Sequence, residues 1–132
     1  MAHMKTKIGE YAIIFNSKCE FLMLQFNSPI NSWHFAGGRL DEGEEAVEGL
    51  IREVKEETNL EIFDLKPVFT KIFTDEKKYG VFFVAKAKEP CTVKISGEHQ
   101  NFKWFKKEDL DSIDFWQPFY KKLLENIMKD FS

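Results

Sequence analysis

Cysteine is scarce. Cys19 and Cys91 are the only two in 132 residues. They fit no C-x-x-C or Cys/His metal spacing, which excludes a disulfide scaffold and a zinc-cluster fold and leaves two reduced thiols. Four prolines, seven glycines and no repeat or Pro/Gly/Ser tract leave no room for a linker, so one domain is expected over residues 1–132. Long apolar runs are missing too. Nothing approaches the roughly 18 to 20 consecutive residues that cross a bilayer, and the start lacks a secretory apolar core, so a cytoplasmic protein with no membrane partner is expected. A basic surplus is also absent: the net charge is -3 and the pI about 5.7. Displacing counterions from a phosphate backbone needs a basic surface, which argues against a nucleic acid polymer as partner. Arginine is the rarest charge, with only Arg39 and Arg52 among 19 basic residues.

What the chain does have is phenylalanine, 14 of them, within 43% hydrophobic and 31% charged residues. These bulky rings would build an aromatic core, and their surplus would serve a homodimer face equally well. Residues 1–3 read as a vector-derived remnant ahead of a start at Met4. Tyr11 to Phe15 and Phe21 to Phe26 read as a hairpin across a short polar link, and Trp33 to Ala36 as a brief extended piece running into Gly37-Gly38. Val47, Leu50, Ile51 and Val54 fall at i, i+3, i+4 and i+7, which predicts an amphipathic helix from Glu44 to Thr58 with Asn59 at its left-handed end. Leu60 to Phe73 reads as extended structure broken near Pro67, followed by strands at Tyr79 to Ala87, Val93 to Ile95 (a short edge) and Phe102 to Phe105. The end is helical, with a core-facing stripe from Trp116 to Ile127 and Asp114 and Gln117 as a capping pair.

On the first helix Glu53, Glu56 and Glu57 stand at i, i+3 and i+4, so three carboxylates share one stripe on the rim of the buried face. Gly49 lies on that stripe, and a mid-helix glycine costs about 1 kcal/mol relative to alanine, which makes sense if something approaches closely there. Crowded carboxylates repel one another, and a divalent cation relieves the conflict. All-oxygen ligands suit Mg²⁺ or Mn²⁺ better than zinc, and Mg²⁺ recruits substrate phosphates. The alternative is a solvated Glu/Lys helix surface.

The run from Gly38 to Leu60 carries more. Five residues separate Gly38 from Glu44, seven more precede Arg52-Glu53, and Val54, Lys55, Glu56-Glu57, Thr58, Asn59 and Leu60 follow. This pattern resembles the signature of the Nudix hydrolase family, whose members generally cleave nucleoside diphosphates linked to another moiety with Mg²⁺ or Mn²⁺. Two positions depart from it. Asn59 replaces the family glycine near the end of the motif, and Ala36 replaces the proline usual before the glycine pair.

The resemblance implies an α+β fold of the Nudix type: an α/β/α sandwich with a mixed central sheet, the motif helix on one side and the C-terminal helix on the other. By position, it implies that Glu53, Glu56 and Glu57 hold the metal with the Gly37 carbonyl, that Glu44 supports the cluster, and that Arg52 orients a glutamate. Glu53, and next Glu98 in the Ser96-Gly97-Glu98-His99 loop, are the candidate general bases; solvated glutamate is the alternative for Glu98. The reaction implied is water attack on a phosphorus of the pyrophosphate bridge. Arg39 is a candidate phosphate contact, or simply exposed. Trp33, Phe35, Tyr79 and Trp116 are candidate walls of a base pocket, or core; Trp116 lies where mutator-type nucleoside triphosphate pyrophosphohydrolases would place base recognition. His34 and His99 read as ordinary histidines. The expected substrate is a nucleoside triphosphate or related conjugate, with dinucleoside polyphosphates, nucleotide sugars and ADP-ribose open. Two other classes stay in view, a non-catalytic nucleotide sensor and a protein-interaction module whose acidic stripe meets a basic partner.

Overall fold

In the computed structural model, which describes residues 2–27, 29 and 31–131, alternation along the first strand organises two layers of packing. Met1, part of the 27–32 loop and Ser132 lie outside the described residues. Strand β1 (Lys7–Phe15) starts four residues earlier than its apolar run suggests. Its Ala12 and Ile14 face one side of the sheet with Leu50 and Val54, and its Ile13 faces the other with Phe82, Tyr120 and Leu124. The remaining strands are β2 (Phe21–Phe26), β3 (Trp33–His34), β4 (Ala36–Arg39), β5 (Ile62–Phe73), β6 (Lys78–Ala87) and β7 (His99–Phe105). Helix α1 (Ala46–Thr58) packs on the first side, and α2 (Phe119–Met128) on the second.

The sheet is mixed. β1 runs parallel to β6 and antiparallel to β4, while β6 pairs with β5 at one edge. The β1–β2 hairpin joins only at Phe15 and Phe21, then opens; β4 takes the free side of β1, and β2 instead pairs with β3 and β7. Gly37 makes this arrangement possible. Its φ is 142°, and a Cβ there would stand 2.2 Å from the Glu10 carbonyl oxygen, a separation open to no other residue.

Several expectations change in the structure. Pro67 does not break β5; the strand continues through irregular register at Phe63/Lys66 and Pro67/Phe69, since a bulge tolerates the missing N–H. Val93 to Ile95 form no strand. Lys94 N–H and Ser96 N–H donate instead to the Thr58 and Glu57 carbonyls at 2.9 and 3.1 Å, closing the C-terminal end of α1. Val47 is exposed because the first turn of α1 stands clear of the sheet. The C-terminal helix starts at Phe119 rather than near Trp116, without the Asp114/Gln117 cap. The backbone ahead of it is tied to β3, through Trp33 N–H to Asp114 O and Trp116 N–H to Trp33 O, both 2.8 Å.

Asn59 ends α1 as expected, at φ 67° with its N–H donating to the Lys55 carbonyl. Asn59→Ala is expected to cost about 1 kcal/mol in urea unfolding and Asn59→Gly less than about 0.5, because only the first puts an unsuited residue in the left-handed region. Equal costs for both would place the role of Asn59 in its side chain.

Candidate active site

The C-terminal half of α1 lies against the Gly37-Gly38 segment of β4, and this juxtaposition sorts the glutamates of the stripe. Glu57 is 7% exposed and accepts a hydrogen bond from Gly37 N–H at 3.3 Å. Glu53 lies over Gly38, where a Cβ would come within 3.2 Å of its Oε2. Glu53 and Glu57 stand one helical turn apart on the same stripe. Glu56 points away, toward solvent and Arg52.

Arg52 is a hub. Its Nε donates to Glu44 at 2.7 Å, one terminal nitrogen donates to both Glu56 oxygens at 3.0 Å, and the other reaches Glu44, Glu53 and Asp41. Only a planar guanidinium can serve four carboxylates at once. These bonds hold Glu44 below the usual carboxylate range and raise the already high basicity of Arg52.

Glu57 is pushed up to about 8, first by burial, against the Gly37 hydrogen bond, and then by the nearby charges of Glu53 and Glu98. Among the described residues no three Asp, Glu, His or Cys side chains converge tightly enough to grip an ion as they stand, because Arg52 holds Glu56 aside. The donor set nonetheless suits a hard divalent cation. Two mutually repelling carboxyls, one nine-tenths buried and driven toward protonation, lie beside the Gly37-Gly38 backbone.

Glu10 went unnoticed in the sequence. It is 1% exposed, and neither carboxyl oxygen has a hydrogen-bond partner among the described residues. It explains Gly49: a Cβ on that glycine would meet Glu10 Oε1 at 2.9 Å and Glu44 Oε1 at 3.1 Å. Burial, then Glu44 and Glu53, push Glu10 up to about 7, with Arg52 opposing. An unfolded-chain value near 4.5 makes its stabilising contribution full below pH 4.5 and lost as pH rises toward 7. His34, lowered to about 4 chiefly by burial, contributes in the opposite sense, its share being lost as pH falls from 6.5. Glu10→Gln therefore isolates the acid: measured by urea unfolding in EDTA, the variant is expected to gain stability relative to the parent between pH 5 and pH 8. A pH-independent difference would show that Glu10 is no more acidic unfolded than folded.

In front of the glutamates a cavity of about 680 Å³ is lined by Gly37, Gly38, Arg39, Glu57, Glu98 and His99, among others. A smaller one of about 160 Å³ includes Phe35, Trp116, Gln117 and Tyr120. Phe26, His34, Phe35, Tyr11, Glu76 and Lys78 border both. Arg39 and Glu98 thus reach the larger cavity, Phe35 both, and Trp116, 40% exposed, the smaller. Trp33 reaches neither; it packs edge-on against Phe105 at 5.1 Å in the α2-side core. Tyr79 also stays off both walls. Lys78, another residue the sequence did not single out, sits over the rings of Tyr11 and Phe73 at 5.3 and 4.9 Å. Burial opposes its charge, but Tyr11 and Glu76 hold its basicity above the usual value.

A glycine-lined cavity thus lies against a carboxylate-bearing helix in an α/β/α sandwich. The family model for the NUDIX domain matches residues 6–127, and the chain belongs to that family. It is 37% identical over 102 residues to the asymmetrical bis(5'-nucleosyl)-tetraphosphatase of Caenorhabditis elegans, covering 73% of this chain and 74% of that protein. A C. elegans Ap4A hydrolase binary complex superposes with a TM-score of 0.76 at 30% identity, covering 92% of this chain and 96% of the other. The MutT protein of Methanosarcina mazei superposes with a TM-score of 0.75 at 27% identity over 98% of each chain. The protein is a Nudix hydrolase, an enzyme acting on phosphorus-containing anhydrides. Among the described residues no helix is long and apolar enough to cross a membrane.

Proposed function

We propose that this chain is a divalent-metal-dependent pyrophosphohydrolase of nucleoside polyphosphates, and that dinucleoside tetraphosphates and nucleoside triphosphates are its substrate class. The observation that carries the reading is the placement of two glutamates against the glycine pair: Glu57 lines the 680 Å³ cavity and accepts from Gly37 N–H, and Glu53 lies beside it over Gly38. The likeness to the C. elegans tetraphosphatase supports dinucleoside tetraphosphates within that class.

Glu53, Glu57 and the Gly37 carbonyl would hold Mg²⁺ or Mn²⁺, with Glu56 joining once it leaves Arg52. When bound, the cation supplies charge neutralisation on the phosphate oxygens and a more acidic water. Glu53 takes the proton of the attacking water, with Glu98 as the alternative base from the facing loop. Arg52 orients Glu53 through a hydrogen bond of 3.3 Å. Arg39 and Lys78 face the oligophosphate from the cavity wall, and Phe35 and Trp116 offer aromatic surface to a base in the smaller cavity.

The test is a panel of Ap4A, ATP, ADP-ribose and nucleotide sugars with Mg²⁺, resolving the products of each. The expected result is cleavage of Ap4A or triphosphates at an internal anhydride, with turnover abolished by EDTA. Turnover of ADP-ribose or nucleotide sugars alone would replace the substrate class, and ligand binding without turnover would make the chain a sensor.

A further inference from the structure

His99 is 6% exposed, in β7 directly opposite Phe26, whose ring lies nearly parallel to the imidazole at 5.7 Å. Its Nδ1 lies 3.3 Å from the Ser96 hydroxyl. Its Nε2 is buried without a hydrogen-bond partner among the described residues, and Glu57 Oε1 stands 3.9 Å away. Ser96 also donates its N–H to the Glu57 carbonyl. Ser96, His99 and Glu57 therefore form a closed triangle between the loop that carries Glu98 and the helix that carries the glutamates. At 3.9 Å the imidazole and the carboxylate share no hydrogen bond, and the Glu57 oxygen nearest to Nε2 also accepts from Gly37 N–H, so the two meet only when the Glu57 side chain turns.

Which nitrogen bears the proton follows from what each one faces. The Ser96 hydroxyl can donate to Nδ1, whereas an ionised Glu57 can only accept. A lone pair on Nε2 would oppose the carboxylate, so the proton belongs on Nε2 whenever Glu57 is charged. Glu53, Glu98 and His34 are the other titratable groups around the pair; in their ionised forms the two acids only accept, and His34 donates its Nδ1–H to the Phe35 carbonyl.

We propose that His99 is a positioning residue that donates Nε2–H to Glu57, fixing the carboxylate rotamer that faces the cation. The inference rests on the reading of Glu57 as a metal ligand. Partners of this kind, one step behind a ligand, typically change metal affinity by about 10- to 100-fold when removed.

The test is Mn²⁺ affinity, read from the electron paramagnetic resonance signal of free Mn²⁺, for the full chain and for His99→Leu, His99→Gln and Glu57→Gln. His99→Leu is expected to weaken binding by about tenfold or more, and His99→Gln, which keeps a donor, to recover to within about threefold of the parent. In the unaltered protein with Mg²⁺, ¹⁵N chemical shifts of the imidazole should report the Nε2–H form. Parent-like affinity in His99→Leu, equal weakening in both His99 variants, or an Nδ1–H form with Mg²⁺ bound overturns the proposal. Should Glu57→Gln bind Mn²⁺ as the parent does, Glu57 is no ligand and both readings fall; weakening in Glu57→Gln alone removes only His99.

Discussion

Glu53→Gln is expected to lower nucleotide hydrolysis about a thousandfold while leaving the urea midpoint close to that of the parent. General base catalysis typically contributes about 10² to 10⁴-fold, and an amide of the same shape cannot take a proton from water. The same change removes one anionic oxygen from the proposed cation site. Stability should hold because the Glu53 side chain is 21% exposed and no apolar packing is lost. Its bond to Arg52, at 3.3 Å, is one of several that the guanidinium makes. The control is Glu56→Gln, whose carboxylate begins turned away from the cavity and whose effect should be smaller. Turnover within about threefold of the parent in Glu53→Gln would remove Glu53 from the chemistry and move the base to Glu98.

The largest loss of stability is expected at a residue with no side chain. Gly37→Ala would place its Cβ 2.2 Å from the Glu10 carbonyl oxygen and 2.8 Å from Tyr11 Cα, both backbone atoms of the neighbouring strand. The φ of 142° adds strain of about 1 to 3 kcal/mol, and relief requires β1 and β4 to separate. A destabilisation of about 3 kcal/mol or more is expected, read as a lower urea midpoint and a melting temperature lower by about 10 °C. Gly43→Ala is the comparison: φ is also positive, at 82°, but nothing lies within 4 Å of the added methyl, so only the conformational cost of about 1 kcal/mol should appear. Similar losses at both glycines would show that backbone strain, and not the contact with β1, governs this region.

Much of the glutamate-bearing helix was legible because its signal is local. Spacing alone placed Glu53, Glu56 and Glu57 on one stripe, and an asparagine at the left-handed position marked the helix end. What spacing does not carry is orientation finer than a face: Glu57 turned inward and Glu56 outward because β4 covers only one flank of the stripe. Glu10 itself gives no sign in the sequence because the apolar run of β1 begins only at Tyr11. Extending the period of two back from Ile14 and Ala12 puts Glu10 on the same inward face, and Gly49 was the visible sign that something filled that space. Trp33, a candidate for pocket wall or core, packs against the α2-side core, since aromatic residues serve either environment and only the pairing of β3 with β2 decides. Lys78 and His99 reach the cavity through long-range pairing between strands distant in sequence, which no local pattern encodes.

The segment between β6 and β7 is fastened at both ends. Lys88 N–H donates to the Glu61 carbonyl at 2.8 Å, and Lys94 N–H to that of Thr58 at 2.9 Å, while 89–92 arch over the gap. The position of Glu98 is thereby insulated from the length of the arch. Extra residues inserted there are expected to lengthen a closed loop at about 0.6 kcal/mol per doubling, provided that Cys91 keeps its packing on the α1-side core and Thr92 O its bond from the Asn59 amide. That arch is a graft point, where a peptide tag or reporter could be carried within reach of the helix end and hydrolysis left running beneath it.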